Sequence, residues 1–333
     1  MSKSIPLPFT ISKNELLPGE RLELSRNTVK DRARVIVSAK LTRLDGTASV
    51  SVGHGYMQSS AGWVTLTENT ISAYNYFSYR NPCIEDPVPV LHHFTEIKDY
   101  ITVLFDKDHT KGDRVTVYTG GGEIIYNVEG IAANDGAPFV LCEGITLTDV
   151  TLSFHSPAYA APIWIYGDSY VNHKSADRWP YYLFRDGFDN VLLSAYPGEK
   201  SERAIEDFEL ALTRGVTPEY VLWLMGMNNG DPDDGPSPEW LAATERFLKL
   251  CSERGITPVL ATIPTCPKVN NAHKNAHVRS LGLRYIDLEL AVGADKSVNW
   301  FDGMLSPDLA HPTALGARAL YSRIISDFPE ITQ

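Results

Sequence analysis

The sequence predicts an α/β protein in two parts: an all-β sandwich, jelly-roll-like, over residues 1–158, then a three-layer α/β/α domain with about five parallel strands over residues 159–333. Three observations predict it. In the first half, short runs of β-branched and aromatic residues alternate with polar ones and are broken by Gly, Asp, Asn and Pro. In the second half, continuous apolar runs are separated by stretches of helical period. Between the halves lies His155-Ser-Pro-Ala-Tyr-Ala-Ala-Pro162, two prolines among small residues, which suits a boundary.

The clearest strands of the first half, which begins at about Arg21, are Arg34-Val-Ile-Val-Ser38, Tyr100-Ile-Thr-Val-Leu-Phe105, Arg114-Val-Thr-Val-Tyr118 and Gly144-Ile-Thr-Leu-Thr148. No helical pattern separates them, so they pair antiparallel. Gly120-Gly-Gly122 reads as a hairpin turn; a phosphate-cradling loop would need a helix start behind it, and none follows. In the second half, Ile163–Tyr166, Asn190–Ser194, Tyr220–Leu224, Pro258–Thr262 and Arg284–Leu288 carry continuous apolar runs, as expected for strands covered on both faces. The best helix opens at Ser237-Pro-Glu, with Ser237 as N-cap and Pro238 at the first position. Trp240, Ala243, Phe247, Leu250 and Cys251 then recur at three- and four-residue steps, and Gly255 can take the left-handed cap. In such a sheet, functional groups gather at the carboxyl ends of the strands.

Composition narrows the function. Hydrophobic residues at 43% and charged residues at 21% describe an ordinary folded chain. A net charge of -11 repels phosphate backbones and anionic lipid, which argues against nucleic acid as a partner. The longest apolar runs, such as Val221 to Met225, are far shorter than the roughly 20 residues of a membrane span, so no membrane association is expected. The N-terminus has neither the apolar stretch nor the cleavage site of a signal peptide, which predicts a cytoplasmic protein; a leader processed away ahead of residue 1 would make it secreted or periplasmic. Cys83, Cys142, Cys251 and Cys266 lack CxxC spacing and read as buried free thiols.

Four strand ends carry the chemistry. They are Tyr166-Gly-Asp-Ser-Tyr170, Ala195-Tyr-Pro-Gly198, Met225-Gly-Met-Asn-Asn-Gly230 and, before the last helix, Asp308-Leu-Ala-His-Pro312. A serine hydroxyl attacks only if a base removes its proton, and neutral histidine has the matching pKa. Ser169 is therefore the candidate nucleophile and His311 the candidate base. Asp308, three residues before His311, can hold the productive tautomer; Asp302, nine residues away, is the competing acid. Asp168 is expected to bond backbone amides in its own turn. The competing reading of Ser169 is a helix cap, and that of His311 a cap or core residue.

In this chain order, the four blocks resemble the SGNH (GDSL-like) hydrolase superfamily, from about Ile163 to Phe328. The resemblance implies a flavodoxin-like C-terminal domain and a serine esterase. It also implies an oxyanion hole made of the Ser169 and Gly198 backbone N–H groups and the Asn228 amide, with Gly198 admitting close backbone approach. Two positions depart from the family pattern, Tyr170 in place of leucine and Asn229 in place of aspartate, and the block around Gly198 fits least well. A β-sandwich ahead of such a domain looks like the arrangement of several carbohydrate esterases, by association only. The expected function is removal of a small acyl group, acetyl, from a carbohydrate. A lipid esterase or thioesterase with the same triad and a catalytically inactive glycan-binding protein are the alternatives. The substrate is an acylated carbohydrate or other small ester, and the mechanism requires no cofactor and no metal. Tyr170 and Trp300 are candidate substrate-binding residues. Trp179, Trp300 and Phe301 could stack on a sugar, with core packing the competing expectation, above all for Trp179. His173, His273 and His277 raise a metal site, but no His-Glu-x-x-His arrangement accompanies them and a solvated helix face fits better.

Overall fold

The computed structural model describes residues 8–24, 33–40, 44, 46–56, 60–68, 70–77, 83–84, 88–89, 100–107, 113–131, 138–171, 176–213, 216–294 and 296–333. The chain divides between Pro157 and Ala158 into two compact units.

The N-terminal unit contains β1 (Phe9–Leu16), β2 (Arg21–Glu23), β3 (Ala33–Lys40), β4 (Ser49–Tyr56), β5 (Ser60–Leu66), β6 (Thr70–Phe77), β7 (Cys83–Ile84), β8 (Val88–Pro89), β9 (Tyr100–Lys107), β10 (Asp113–Thr119), β11 (Ile124–Ile131), β12 (Pro138–Glu143) and β13 (Leu147–His155). One sheet has the order β1-β13-β3-β9-β10-β11 and the other β2-β12-β4-β5-β6-β7, with β8 beside β6. Period-two alternation explains the packing: Val35 and Val37 of β3 face the same side as their β9 partners Phe105 and Val103, and all four are buried. Val37 and Val103 of this sheet line one small void together with Val52 and Val140 of the other, so the two apolar faces meet. His54 of β4 and Asp113 of β10 join the sheets, with Nε2 and Oδ2 2.5 Å apart and both side chains fully buried.

Two sequence expectations change here. The unit begins with β1, ahead of Arg21, because β1 is an edge strand whose central residues are exposed or half-buried, so it carries no apolar alternation to read. Gly144 opens no strand: its φ of +65° makes it part of the turn between β12 and β13, and pairing resumes at Leu147. The Gly120–Gly122 segment is a hairpin turn, closed by the Gly122 N–H on the Thr119 carbonyl.

The C-terminal unit alternates strands and helices: β14 (Ile163–Gly167), α1 (Trp179–Arg185), β15 (Val191–Ala195), α2 (Ser201–Leu212), β16 (Tyr220–Leu224), α3 (Pro238–Arg254), β17 (Thr257–Ala261), α4 (Ala272–Ser280), β18 (Tyr285–Ile286), α5 (Leu288–Val292) and α6 (Ala314–Asp327). The five strands are parallel, in the order β15-β14-β16-β17-β18. Both faces are covered. Ile163, Ile165, Leu222 and Val259 pack with Trp179 and Leu183 of α1 and Leu320 and Ile324 of α6. On the opposite face Trp164 and Tyr166 meet Phe208 of α2, and Trp223 stacks on Phe247 of α3 at 4.7 Å. Helix α3 is capped as its sequence predicts, by Ser237 Oγ accepting from the Trp240 N–H and by Gly255 at φ +69°. Its Leu250 is only half-buried.

Cys142, Cys251 and Cys266 are buried free thiols, and burial pushes the Cys251 thiol up to about 12. The side chain of Cys83 lies outside the described residues. Among the described residues no helix is long and apolar enough to cross a membrane.

Because β14 is flanked by β15 on one side and β16 on the other, the chain leaves its carboxyl end in one direction and later crosses back. A crevice opens at such a reversal, and the loops after β14, β15 and β16 are the ones that border it.

Candidate active site

Ser169 sits in a turn that only glycine at 167 permits. A Cβ on Gly167 would lie 2.2 Å from Val171 Cγ2, so the chain could not fold back so tightly on the strand end. The Asp168 carbonyl accepts from the Val171 N–H at 3.0 Å, and Asp168 Oδ1 accepts from the Tyr170 N–H at 3.0 Å. Asp168 thus holds its own turn, as expected. Its other carboxyl oxygen is buried without a hydrogen-bond partner, and burial raises its pKa to about 7.

His311 reaches Ser169 from a loop that holds itself in shape. Leu305 and Pro312 form an antiparallel bridge, the Ser306 N–H donates to the His311 carbonyl at 2.8 Å, and the Leu309 N–H donates to the Ser306 carbonyl at 3.0 Å. Inside this loop Asp308 Oδ1 accepts from Ser306 Oγ at 2.6 Å and from the Ala310 and His311 N–H groups, each at 2.9 Å. Asp308 Oδ2 faces His311 Nδ1 at 2.7 Å, and His311 Nε2 lies 2.9 Å from Ser169 Oγ. Partial burial raises the Asp308 pKa, but the bonds from Ser306, His311 and Ala310 outweigh it and hold the carboxyl well below the usual range. An ionised carboxylate only accepts, so Nδ1 carries a proton, and in the neutral imidazole the lone pair on Nε2 then faces the hydroxyl. The structure therefore brings Ser169, His311 and Asp308 into one hydrogen-bonded chain. Ser169 caps no helix, since α1 begins at Trp179 with Arg178 at its N-cap. Asp302 is exposed, and the acid at the imidazole is Asp308.

Tyr196-Pro-Gly-Glu199 forms a turn closed by the Glu199 N–H on the Tyr196 carbonyl at 3.1 Å, with Gly198 at φ +76°. Proline second and a positive-φ glycine third are the demands of a type II turn. A Cβ on Gly198 would meet no protein atom within 4 Å, so what demands glycine within the protein is the positive-φ backbone conformation. The Tyr196 N–H joins this turn to the Gly167 carbonyl at 3.4 Å. Asn228 is half-buried and donates one amide hydrogen to the Glu199 carbonyl at 2.9 Å, leaving a second hydrogen on the same nitrogen. The loops after β14, β15 and β16 are thus tied to one another.

Two buried polar residues that sequence reasoning did not select hold these loops. Asn229 Oδ1 accepts from the Ser201 N–H and hydroxyl at 3.0 and 3.1 Å, and its Nδ2 donates to Glu202 at 2.7 Å, fixing the start of α2. Lys274 of α4 is fully buried; its ammonium donates to the Asn229 carbonyl and pairs with Asp231 at 3.0 Å. Burial lowers its pKa, and Asp231 opposes that shift. The sequence offered one signal, the Asn-Asn pair at 228–229, and none for Lys274, which stands among polar neighbours.

Tyr170 is not part of an open substrate wall. It is 5% exposed and its hydroxyl donates to the Ala310 carbonyl, so the expected substrate contact is corrected by its burial. Trp179 is fully buried in the core. Trp300 is partly buried, packs against the core and donates its indole N–H to the Thr265 carbonyl at 2.7 Å, while Phe301 beside it is 46% exposed. His273 Nε2 lies 3.2 Å from the Asp233 carbonyl, and His277 sets its ring against Trp240 at 5.8 Å; both are half-buried, not on the solvated face expected. His173 lies outside the described residues. Among the described residues no group of three or more His, Cys, Asp or Glu side chains is arranged to hold a metal ion.

No family model matches the sequence, and no curated protein matches it. Solved structures similar to this chain include lipolytic proteins of the GDSL type and a carbohydrate esterase. A member of the lipolytic protein G-D-S-L family from Veillonella parvula is 15% identical over 50% of this chain and 97% of its own, with a TM-score of 0.41. A GDSL-like lipase from Bacteroides thetaiotaomicron is 14% identical over 50% of this chain and 87% of its own, with a TM-score of 0.39. A carbohydrate esterase family 3 protein from Talaromyces cellulolyticus is 11% identical over 52% of this chain and 98% of its own, with a TM-score of 0.39.

Proposed function

We propose that residues 159–333 form a serine esterase domain that removes a small acyl group, acetyl, from a carbohydrate, with residues 1–158 as a β-sandwich accessory domain. The observation that carries the esterase part is the hydrogen-bonded chain Asp308–His311–Ser169. Ser169 Oγ attacks the ester carbonyl carbon as His311 Nε2 takes its proton, and Asp308 stabilises the imidazolium that forms. Negative charge then builds on the former carbonyl oxygen. The donors for it are the Ser169 and Gly198 N–H groups and the second amide hydrogen of Asn228, each worth about 3–4 kcal/mol where such donors are deleted. Collapse expels the alcohol, which receives the proton from His311. Water, deprotonated by the same imidazole, releases the acid and restores Ser169.

The acyl-ester part rests on the site chemistry, whereas carbohydrate, and acetyl with it, rests on the likeness of a β-sandwich ahead of such a domain to the arrangement of several carbohydrate esterases. Trp300, with Phe301 exposed beside it, is the aromatic assigned to a sugar face. Acetate release from acetylated xylan, mannan, pectin and sialic acid tests the substrate class, and 4-nitrophenyl acetate against the octanoate tests acyl length. Ser169→Ala tests the nucleophile: turnover falls at least about a thousandfold with the fold intact by circular dichroism. Unchanged ester turnover in that variant ends the reading.

A further inference from the structure

Tyr170 follows the candidate nucleophile directly, and both of its hydrogen-bond donors are engaged. Its N–H is held by Asp168 Oδ1 at 3.0 Å, and its hydroxyl donates to the Ala310 carbonyl, 140 positions along the chain. Its ring lies 5.9 Å from the His311 ring, tilted by 38°. The Ala310 N–H donates to Asp308 Oδ1, Asp308 Oδ2 faces His311 Nδ1, and His311 Nε2 meets Ser169. The contacts therefore close on themselves, from Ser169 through Tyr170, Ala310, Asp308 and His311 back to Ser169. Beside the contact with Ala310, Leu309 holds a φ of +60°, a conformation that leucine rarely adopts without outside restraint. Burial keeps the phenol protonated, and hence a donor, throughout the working range.

We propose that Tyr170 is a positioning residue of this site: its hydroxyl on the Ala310 carbonyl and its ring against the His311 imidazole set the distance between the base and Ser169. The inference rests on the esterase reading above. A leucine at this position, as in the family pattern, would fill the space without supplying the bond. The turn that presents the nucleophile thereby also fixes the base.

The test uses Tyr170→Phe, which removes one oxygen and keeps the ring, and Tyr170→Leu, which removes both contacts. The rate of Ser169 phosphonylation by a 4-nitrophenyl alkylphosphonate is measured with the label located by mass spectrometry. Alongside it are measured kcat and KM on 4-nitrophenyl acetate, the low-field proton resonance of the His311 Nδ1–H, and the urea midpoint. Tyr170→Phe is expected to lower the phosphonylation rate and kcat together by about ten- to a hundredfold, as a misplaced catalytic group does, with KM unchanged and the low-field resonance shifted. Tyr170→Leu falls at least as far. If either variant loses urea resistance while both rates stay within about twofold of wild type, Tyr170 only packs the core and the inference is overturned. A wild-type chain that is not phosphonylated at Ser169 overturns the esterase reading instead, a result separate from that of a labelled wild type and an equally reactive variant.

Discussion

Replacing Asp168 by asparagine should change how stability depends on pH. The carboxyl lies 1% exposed, one oxygen bonded to the Tyr170 N–H and the other buried without a hydrogen-bond partner. Burial lifts its pKa from 3.8 to about 7, roughly three units at 1.36 kcal/mol each, or about 4 kcal/mol between the two protonation states. Below about pH 4 the folded and unfolded chains both carry the proton, and the site costs nothing. Between pH 4 and 7 the unfolded chain ionises while the folded one does not, so stability falls as pH rises. Above pH 7 both are ionised and the full penalty remains. The substituted amide keeps the bond to Tyr170 and never ionises; its added N–H group brings a constant cost of about 1–3 kcal/mol, independent of pH. Urea unfolding of both proteins from pH 4 to 8, followed by tryptophan fluorescence, measures the difference; five of the six tryptophans (164, 179, 223, 240 and 300) lie in the C-terminal unit. The stability of the variant relative to wild type should rise by about 4 kcal/mol across that range. Parallel curves would refute the reasoning and mean that solvent or a partner group already satisfies the carboxylate.

Three further outcomes follow from the geometry. Asp308→Asn presents an amide to His311 Nδ1, favours the wrong tautomer and should lower kcat by about three to four orders of magnitude with little change in KM; a loss under about tenfold in initial rates would take Asp308 out of this role. Gly198→Ala meets open space but must hold φ +76°, so the urea midpoint should report a loss of about 1 kcal/mol, and kcat should fall as the turn shifts; wild-type kcat would mean that the turn holds alanine without moving the residue 198 N–H. In the N-terminal unit, Asp113→Ala takes the carboxylate from the fully buried His54 and should cost about 3–5 kcal/mol in thermal unfolding of that unit, whereas a change under about 1 kcal/mol would mean that the pair contributes little.

The parallel sheet was legible because strands covered on both faces carry near-continuous apolar runs, and the five runs fall on β14 to β18. Only the last shrank, to Tyr285–Ile286, since Leu288 already belongs to α5. The meeting of Ser169, Asp308 and His311 was legible for a different reason: few residue types can activate a hydroxyl, and strand ends restrict where they stand. Tyr170 shows the limit of such reasoning, because an aromatic beside a nucleophile can face the cleft or the core, and sequence does not distinguish the two. Asn229 had only the Asn-Asn pair to mark it, and Lys274 was illegible because its partners lie far along the chain. A lysine among polar neighbours reads as solvated until its carboxylate, 43 positions away, is seen beside it.

The loop between Leu305 and Pro312 delivers acid and base as one prefabricated piece. Within it the carboxylate and imidazole are only three positions apart and find each other locally, whereas the contact with the serine spans 142 positions. A single long-range docking event therefore decides whether the site is armed. Local opening around this loop would disarm it while the sheet beneath stays intact, so loss of activity on warming should precede loss of secondary structure.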